Sequence, residues 1–436
     1  MLELAAGSDG IAVADDFITT SRCVEREHLY RNAWHGLCPA HASICGVFPS
    51  AAFMPCEVWG AGRGLRLRDF LRSMTAAQRS AIAFVRARAE LAFERHRAPL
   101  TDLVARAGAT SSHALADVIR SRAKVCIAFH PDRVVAGGST VAEGLLREGR
   151  YRGQFETGIS NGSRTAFPGG ERSRWESELF GGAYEDADPY ERPKYGSLDL
   201  LRHPEGPSPR FGSCHLVLRA QTHARCTVSW GDSHLEPEHV GTLDLLEPVL
   251  FALLQSVDAR GEALGLHGID LATAVRRLCG EPASPRPLGR ALDDYIEVQI
   301  HAPISLAEDV EALVIDPAFD GTSTGELLER LADTHRLSLR RHPGFVLCPS
   351  DVPADFRGPR MPALAERLDL RFAALPGRLD CAVIGDAARS LHEEPAQWSD
   401  WATPEETLQH LKQLWHVLVR FGHPRFGDEP QVPSPP

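Results

Sequence analysis

Polar side chains stand beside glycines and strand-like runs at four places in this chain: Phe129–Arg133 (FHPDR), Arg152–Gly162 (RGQFETGISNG), Glu191–Leu198 (ERPKYGSL, with PRFGSC soon after) and Tyr295–His301 (YIEVQIH). A rigid sheet presents ligand-binding groups at its strand ends, and glycine there lets a ligand come close to the backbone. The fourth cluster is the most unusual. Strand alternation puts Ile296, Val298 and Ile300 on one side and Tyr295, Glu297, Gln299 and His301 on the other. A face that combines a carboxylate, an amide, an imidazole and a phenol is unlike a plain solvent face. Each cluster also has a bland reading: His130 as a turn histidine, Arg133 paired with Asp132, Glu156 and Thr157 as strand-edge residues, Glu297 turned to water.

Two chemistries use such groups. His130 and Glu297 could serve as an acid/base pair of a hydrolase. Alternatively, a carboxylate facing developing positive charge stabilises an oxocarbenium-like state, as in glycosidic bond cleavage. Other templates are missing: the chain has no G-x-S-x-G elbow, no G-x-x-x-x-G-K-[ST] loop, no G-x-G-x-x-G after a strand and no H-E-x-x-H. Cys214 precedes His215, but neighbours on a strand face opposite sides, which disfavours a Cys/His nucleophile there.

The elements that would position these groups follow from periodicity. Residues 74–95 repeat apolar side chains at helical spacing with Thr75 as N-cap, and 101–121 suggest a further helix or two. KVCIAFH, from Lys124, reads as a buried strand. Ser139 or Thr140 then caps a short helix that Gly149 ends. RYRGQFETG reads as a second strand, entering the loop ISNGSRTAFPGGE, and SRWESELFGGAY as a helix. KYGSLDLL, SCHLVLRAQ and ARCTVSW are strand candidates, the last two spaced like a hairpin. DLLEPVLFALLQSV is a helix, DDYIEVQIHAP a late strand, and SLAEDVEALVID a helix leading to one more strand. The segment 280–290 is a linker loop. The expected organisation is an irregular extension (1–60), a helical subdomain (61–122), a β-rich core (123–322), an α-rich subdomain (323–427) and a disordered tail (428–436). The fold class is α+β: a split, mostly antiparallel core flanked by helices.

Composition narrows the function classes. The formal net charge is -11, which argues against a nucleic-acid scaffold because phosphates need a basic face. No long uncharged window suggests a membrane span, and no Sec-type signal is visible, so a cytoplasmic protein of a bacterium is expected. The ten cysteines are scattered, consistent with a reduced compartment. Cys126, Cys214 and Cys226 fall in strands as small core residues. Cys23, His28, His35, Cys38, His41, Cys45 and Cys56 crowd together without a paired C-x-x-C, so no metal site is assigned. Lysine occurs only at Lys124, Lys194 and Lys412; a GC-rich genome accounts for that, and escape from ubiquitin tagging in a host is the sharper alternative.

FH..R, TVAEGLLREG, QFETG and the late EVQIH strand together resemble the ADP-ribosyltransferase superfamily over residues 124–316. QFETGISNG, ERPKYG and FGSC are also similar to an uncharacterised bacterial family, domain of unknown function number 3626, over most of the chain. The superfamily resemblance implies a split β-core and NAD as substrate. It implies His130 or Arg133 at the first motif position, Thr157 at the second (Ser160 or Tyr195 as substitutes) and Glu297 at the third. Glu297, Thr157 and His130 would then be catalytic. His130, Arg133, Phe155, Gly158, Ser160, Asn161, Tyr195 and Gln299 would hold NAD. The acceptor would be a protein, host ubiquitin or another, reached inside the bacterium or by delivery as an effector or toxin. The competing readings are a nucleotide- or protein-binding module on the same fold without catalysis, and the unrelated His/Glu hydrolase.

Overall fold

The computed structural model describes residues 74–135, 137–158, 166–281 and 292–425. The chain divides into two compact units, Met1–Gly64 and Leu65–Pro436, and all described residues belong to the second. The expected extension, its Cys/His cluster, Ser160, Asn161, most of the 280–290 linker and the C-terminal tail lie outside the described residues.

Eight strands form one sheet: β1 (Lys124–Phe129), β2 (Lys194–Asp199), β3 (Cys214–Leu218), β4 (Cys226–Trp230), β5 (Val240–Thr242), β6 (Ile296–Ile300), β7 (Val310–Ile315) and β8 (Ser338–Arg341). Their order is β8-β7-β3-β1-β2-β6-β4-β5. Every pairing is antiparallel except β7 with β8. The protein is therefore mixed α/β around a single large mixed sheet, where a split core was expected. β3 and β4 are not a hairpin. The turn Ala220–Arg225 carries the chain past the end of the sheet, so that β1, β2 and β6 lie between them. The anticipated second strand shrinks to Arg150–Tyr151, and Gln154–Thr157 is a single helical turn ended by Gly158 at φ 68. Gly153 and Gly158 bracket that turn, and glycine tolerates the left-handed exit.

Helix α1 (Ala76–Arg106) begins at Thr75, which forms a capping box with Gln78, and it runs on through Pro99, where the sequence suggested a break. Helix α2 (Ser112–Arg122) leads into β1, and α3 (Val141–Glu148) carries the expected Thr140 cap and a left-handed Gly149. Helices α4 (Glu171–Phe180), α5 (Glu247–Arg260) and α6 (Leu271–Leu278) follow, then α7 (Ser323–His335), α8 (Met361–Phe372), α9 (Cys381–Glu393) and α10 (Pro404–Phe421). One apolar core runs from Leu100 to Val419, so helices at both ends of the unit pack on the same sheet system. Among the described residues, no helix is long and apolar enough to cross a membrane.

The tightest approach within the sheet is at Gly196 on β2. A Cβ there would meet the Cys126 carbonyl oxygen at 2.5 Å and Ile127 Cγ1 at 3.3 Å. Gly196→Ala must separate β1 from β2, and overpacking of this kind costs about 1–3 kcal/mol. Thermal melting of the variant checks it: an unchanged midpoint would contradict this close approach.

Candidate active site

A cleft of about 200 Å³ opens beside β1, β2 and β6. Its lining includes His130 and Arg133 just after β1, Thr157 on the helical turn, Tyr195 and Gly196 on β2, and Tyr295 and Glu297 at the start of β6. Segments more than 160 residues apart in sequence thus meet because β2 lies between β1 and β6 in the sheet.

Glu297 is positioned from below. Register places it opposite Ser197 on β2 and Ser229 on β4. The Gln299 amide donates to Glu297 Oε1 at 2.9 Å, and the Ser233 backbone N–H points at Oε2 from 3.4 Å. Gln299 also donates to Ser229 at 3.1 Å and accepts from Thr227 at 2.8 Å. Thr227 in turn meets His301 at 3.0 Å, and His301 meets Tyr184 at 2.6 Å. The polar face anticipated for β6 is therefore buried and fully networked, which holds one carboxylate rigidly. Burial, helped by the like charge of Asp232, pushes the Glu297 carboxyl up to about 7; Arg172 opposes this.

A second buried network braces the wall. Glu176 accepts from the Tyr195 hydroxyl at 2.8 Å and from Arg192 at 2.8 Å. Arg172 stacks over the Tyr195 ring at 4.6 Å and the Trp175 ring at 5.5 Å. Tyr295 donates to Asp232 at 2.9 Å, and its ring meets Phe211 edge-on at 5.4 Å. His130 packs edge-on against Trp415 at 5.1 Å. Burial and the neighbouring Arg133 push the imidazole down to about 3, so it is neutral.

The cleft is cationic. Arg133, Arg147, Arg150, Arg152 and Arg172 line it, whereas Glu297 is its only lining carboxylate among the described residues. Arg147 and Arg152 are tied to Glu148 at 3.2 and 2.5 Å, and Arg150 to Glu156 at 2.5 Å. Among the described residues no carboxylate lies within ion-pair distance of Arg133, whose own pKa is lowered by burial. Guanidinium groups in such arrays are suited to anions.

Of the expected site residues, His130, Arg133, Thr157, Tyr195 and Glu297 share the cleft, and three others do not line it. Phe155 faces away, buried beneath Arg192 at 4.1 Å. On a helical turn Gln154 and Thr157 share a face and Phe155 does not, whereas a strand would have aligned 155 with 157. Gly158 is exposed at the end of that turn. Gln299 supports Glu297 from behind it. Arg172 and Phe211 were missed, and only the overlay of α4 and the 209–211 turn on the sheet brings them in. Cys214 is buried, which raises its thiol pKa strongly and leaves it inert as a nucleophile. Among the described residues no group of side chains could hold a metal ion.

The described residues make a mixed α/β protein with one large mixed sheet, whose cleft is lined by arginines and the buried Glu297. The family described as protein of unknown function (DUF3626) matches residues 124–421, from the first residue of β1 to the last of α10, and the chain belongs to that family. No curated protein matches the chain.

Proposed function

We propose that the cleft binds NAD and breaks its nicotinamide–ribose bond, passing ADP-ribose to an acceptor, as an ADP-ribosyltransferase does. The observation that carries this reading is the pairing of Glu297 with an arginine-lined, aromatic-flanked cleft. Arg133 and its neighbours suit the pyrophosphate, because guanidinium groups grip phosphate oxygens in pairs. Tyr195, Phe211 and Tyr295 offer rings for the nicotinamide or adenine. As the C–N bond breaks, its electron pair goes to the pyridine nitrogen and neutral nicotinamide leaves. The carboxylate of Glu297 faces the positive charge left on the ribose. The acceptor nucleophile then adds to that carbon and gives up its proton to solvent; a protein side chain is the acceptor favoured here, and water would make the reaction hydrolysis. Neutral His130 can donate or accept one hydrogen bond at the adenosine side, as would Thr157 near the ribose.

The test is nicotinamide release from NAD by the purified full chain, with label transfer from adenylate-labelled NAD to lysate proteins as the second readout. Only the ionised Glu297 stabilises the transition state, so the rate should rise with pH and level off above about 7. If NAD binds without turnover, the non-catalytic module replaces this reading. If NAD neither binds nor is consumed between about pH 6 and 9, the dinucleotide reading fails altogether.

A further inference from the structure

Behind His130 the cleft meets a second group of cations that NAD cleavage does not use. Helix α10 presents Lys412, Trp415 and His416 on one face, at helical i, i+3 and i+4 spacing. Trp415 fixes the position of that face: its ring meets His130 at 5.1 Å, and its indole N–H donates to the Pro209 carbonyl at 3.1 Å. Pro209 precedes Arg210, and Phe211 lines the cleft. Arg357 arrives from the other side. Its neighbour Phe356 packs edge-on against Phe421 at the end of α10, at 5.3 Å, and Arg357 itself adopts a left-handed φ of 63. Arg210 and Arg357 both act on His416 and Lys412, and Arg133 acts on Lys412.

Among the described residues, few carboxylates face this group: Asp293 pairs with Arg210, and the charge of Asp232 acts on Lys412. Among the described residues neither Lys412, Arg357 nor Arg133 has an ion-pair partner; Arg210 meets only the exposed Asp293. His416 is 4% exposed, yet neither ring nitrogen has a hydrogen-bond partner among the described residues. Buried polar nitrogens are ordinarily satisfied, and clustered like charges repel unless an anion lies between them. Burial first, and then the surrounding cations, drive His416 down to about 2, so its ring is neutral, and Lys412 to about 8, with Asp232 opposing the fall.

We propose that Arg210, Arg357, Lys412 and His416 form an oxyanion subsite of phosphate class, adjoining the cleft at His130 and Arg133. A tetrahedral oxyanion would accept from the two guanidinium groups, the ammonium and one imidazole N–H, and so give partners to Arg357, Lys412 and His416 while sharing Arg210 with Asp293. The ligand carries a phosphate at this place, either as part of a dinucleotide with an additional phosphomonoester or as a separate phosphate. The subsite does not depend on NAD cleavage, because inorganic phosphate alone is the probe.

The experiment is thermal melting and calorimetric titration of the full chain with sodium phosphate, against sodium chloride of equal ionic strength. Phosphate should raise the midpoint beyond chloride. Lys412→Gln and Arg357→Gln, two half-buried positions with their own chloride melts as folding controls, should each weaken phosphate binding about tenfold or more. NAD and its 2′-phosphorylated form separate the two sources. Tighter binding of the phosphorylated dinucleotide, erased by Lys412→Gln, assigns the subsite to the dinucleotide. Equal binding of the two, with phosphate still stabilising the NAD-loaded protein, assigns it to a separate phosphate. A phosphate effect no larger than that of chloride, or wild-type phosphate affinity in both variants, overturns the proposal.

Discussion

Glu297→Gln is expected to lower nicotinamide release by about 10²–10³-fold, the usual consequence of losing one preorganised electrostatic contribution to a transition state. The same change should stabilise the protein above neutral pH. The folded-state carboxyl is raised from 4.5 to about 7, chiefly by burial. At low pH both folded and unfolded chains hold the proton, and there is no difference. As pH rises through the ordinary carboxylate range the unfolded chain ionises first, which favours unfolding. The full deficit, on the order of 3 kcal/mol, is reached only above about pH 7. Glutamine carries no charge and escapes it, although its amide must share the Gln299 donor and the Ser233 N–H differently, which offsets part of the gain. Urea unfolding of both proteins at about pH 5 and pH 8, beside nicotinamide release, reads both effects. Equal release rates in two folded proteins would remove Glu297 from catalysis. A variant less stable than wild type at the higher pH would show that the carboxylate is held by more favourable contacts than those described.

Arg192→Met should destabilise the protein by about 3–5 kcal/mol, because it leaves a buried charge without its partner. Arg192 and Glu176 are 3% and 1% exposed and 2.8 Å apart. Burial already holds the Glu176 carboxyl above its ordinary value despite the Tyr195 hydroxyl, Arg192 and Arg172. Without Arg192 it rises further, so the loss of stability should grow with pH as the unfolded chain ionises and the folded one resists. The loss also releases Phe155, over which the guanidinium sits at 4.1 Å, and unsettles Tyr195, so affinity for NAD should fall with it. Combining Arg192→Met with Glu176→Leu should recover much of the stability, since the Glu176 carboxylate is then no longer stranded, although the Tyr195 hydroxyl loses its acceptor. Chemical denaturation of the single and double variants measures this. A double variant as unstable as the single one would mean that packing, rather than the stranded carboxylate, carries the effect.

Local sequence determined much of what is seen. The Thr75 and Thr140 caps, the Gly149 stop and five of the eight strands (β1–β4 and β6) follow from capping chemistry and apolar runs, which act within a few residues, whereas β7 falls in the segment read as a helix. The alternation at 295–301 was also legible: Glu297 and Gln299 do share a face opposite the apolar core. That this face is buried between Ser197, Thr227 and Ser229 could not be read from β6 alone, because strand order depends on which edges meet. The same holds for the gathering of His130, Thr157, Tyr195 and Glu297 in one cleft. Where the local reading failed, at Gln154–Thr157, a short stretch with β-branched and aromatic residues was compatible with either strand or helix, and the flanking glycines settled it in favour of one helical turn. Arg172, Phe211, Lys412 and His416 carry no motif at all. They come together because α4, the 209–211 turn and α10 dock on the sheet, and docking is decided by the packing of apolar surfaces distant in sequence, which no local pattern encodes.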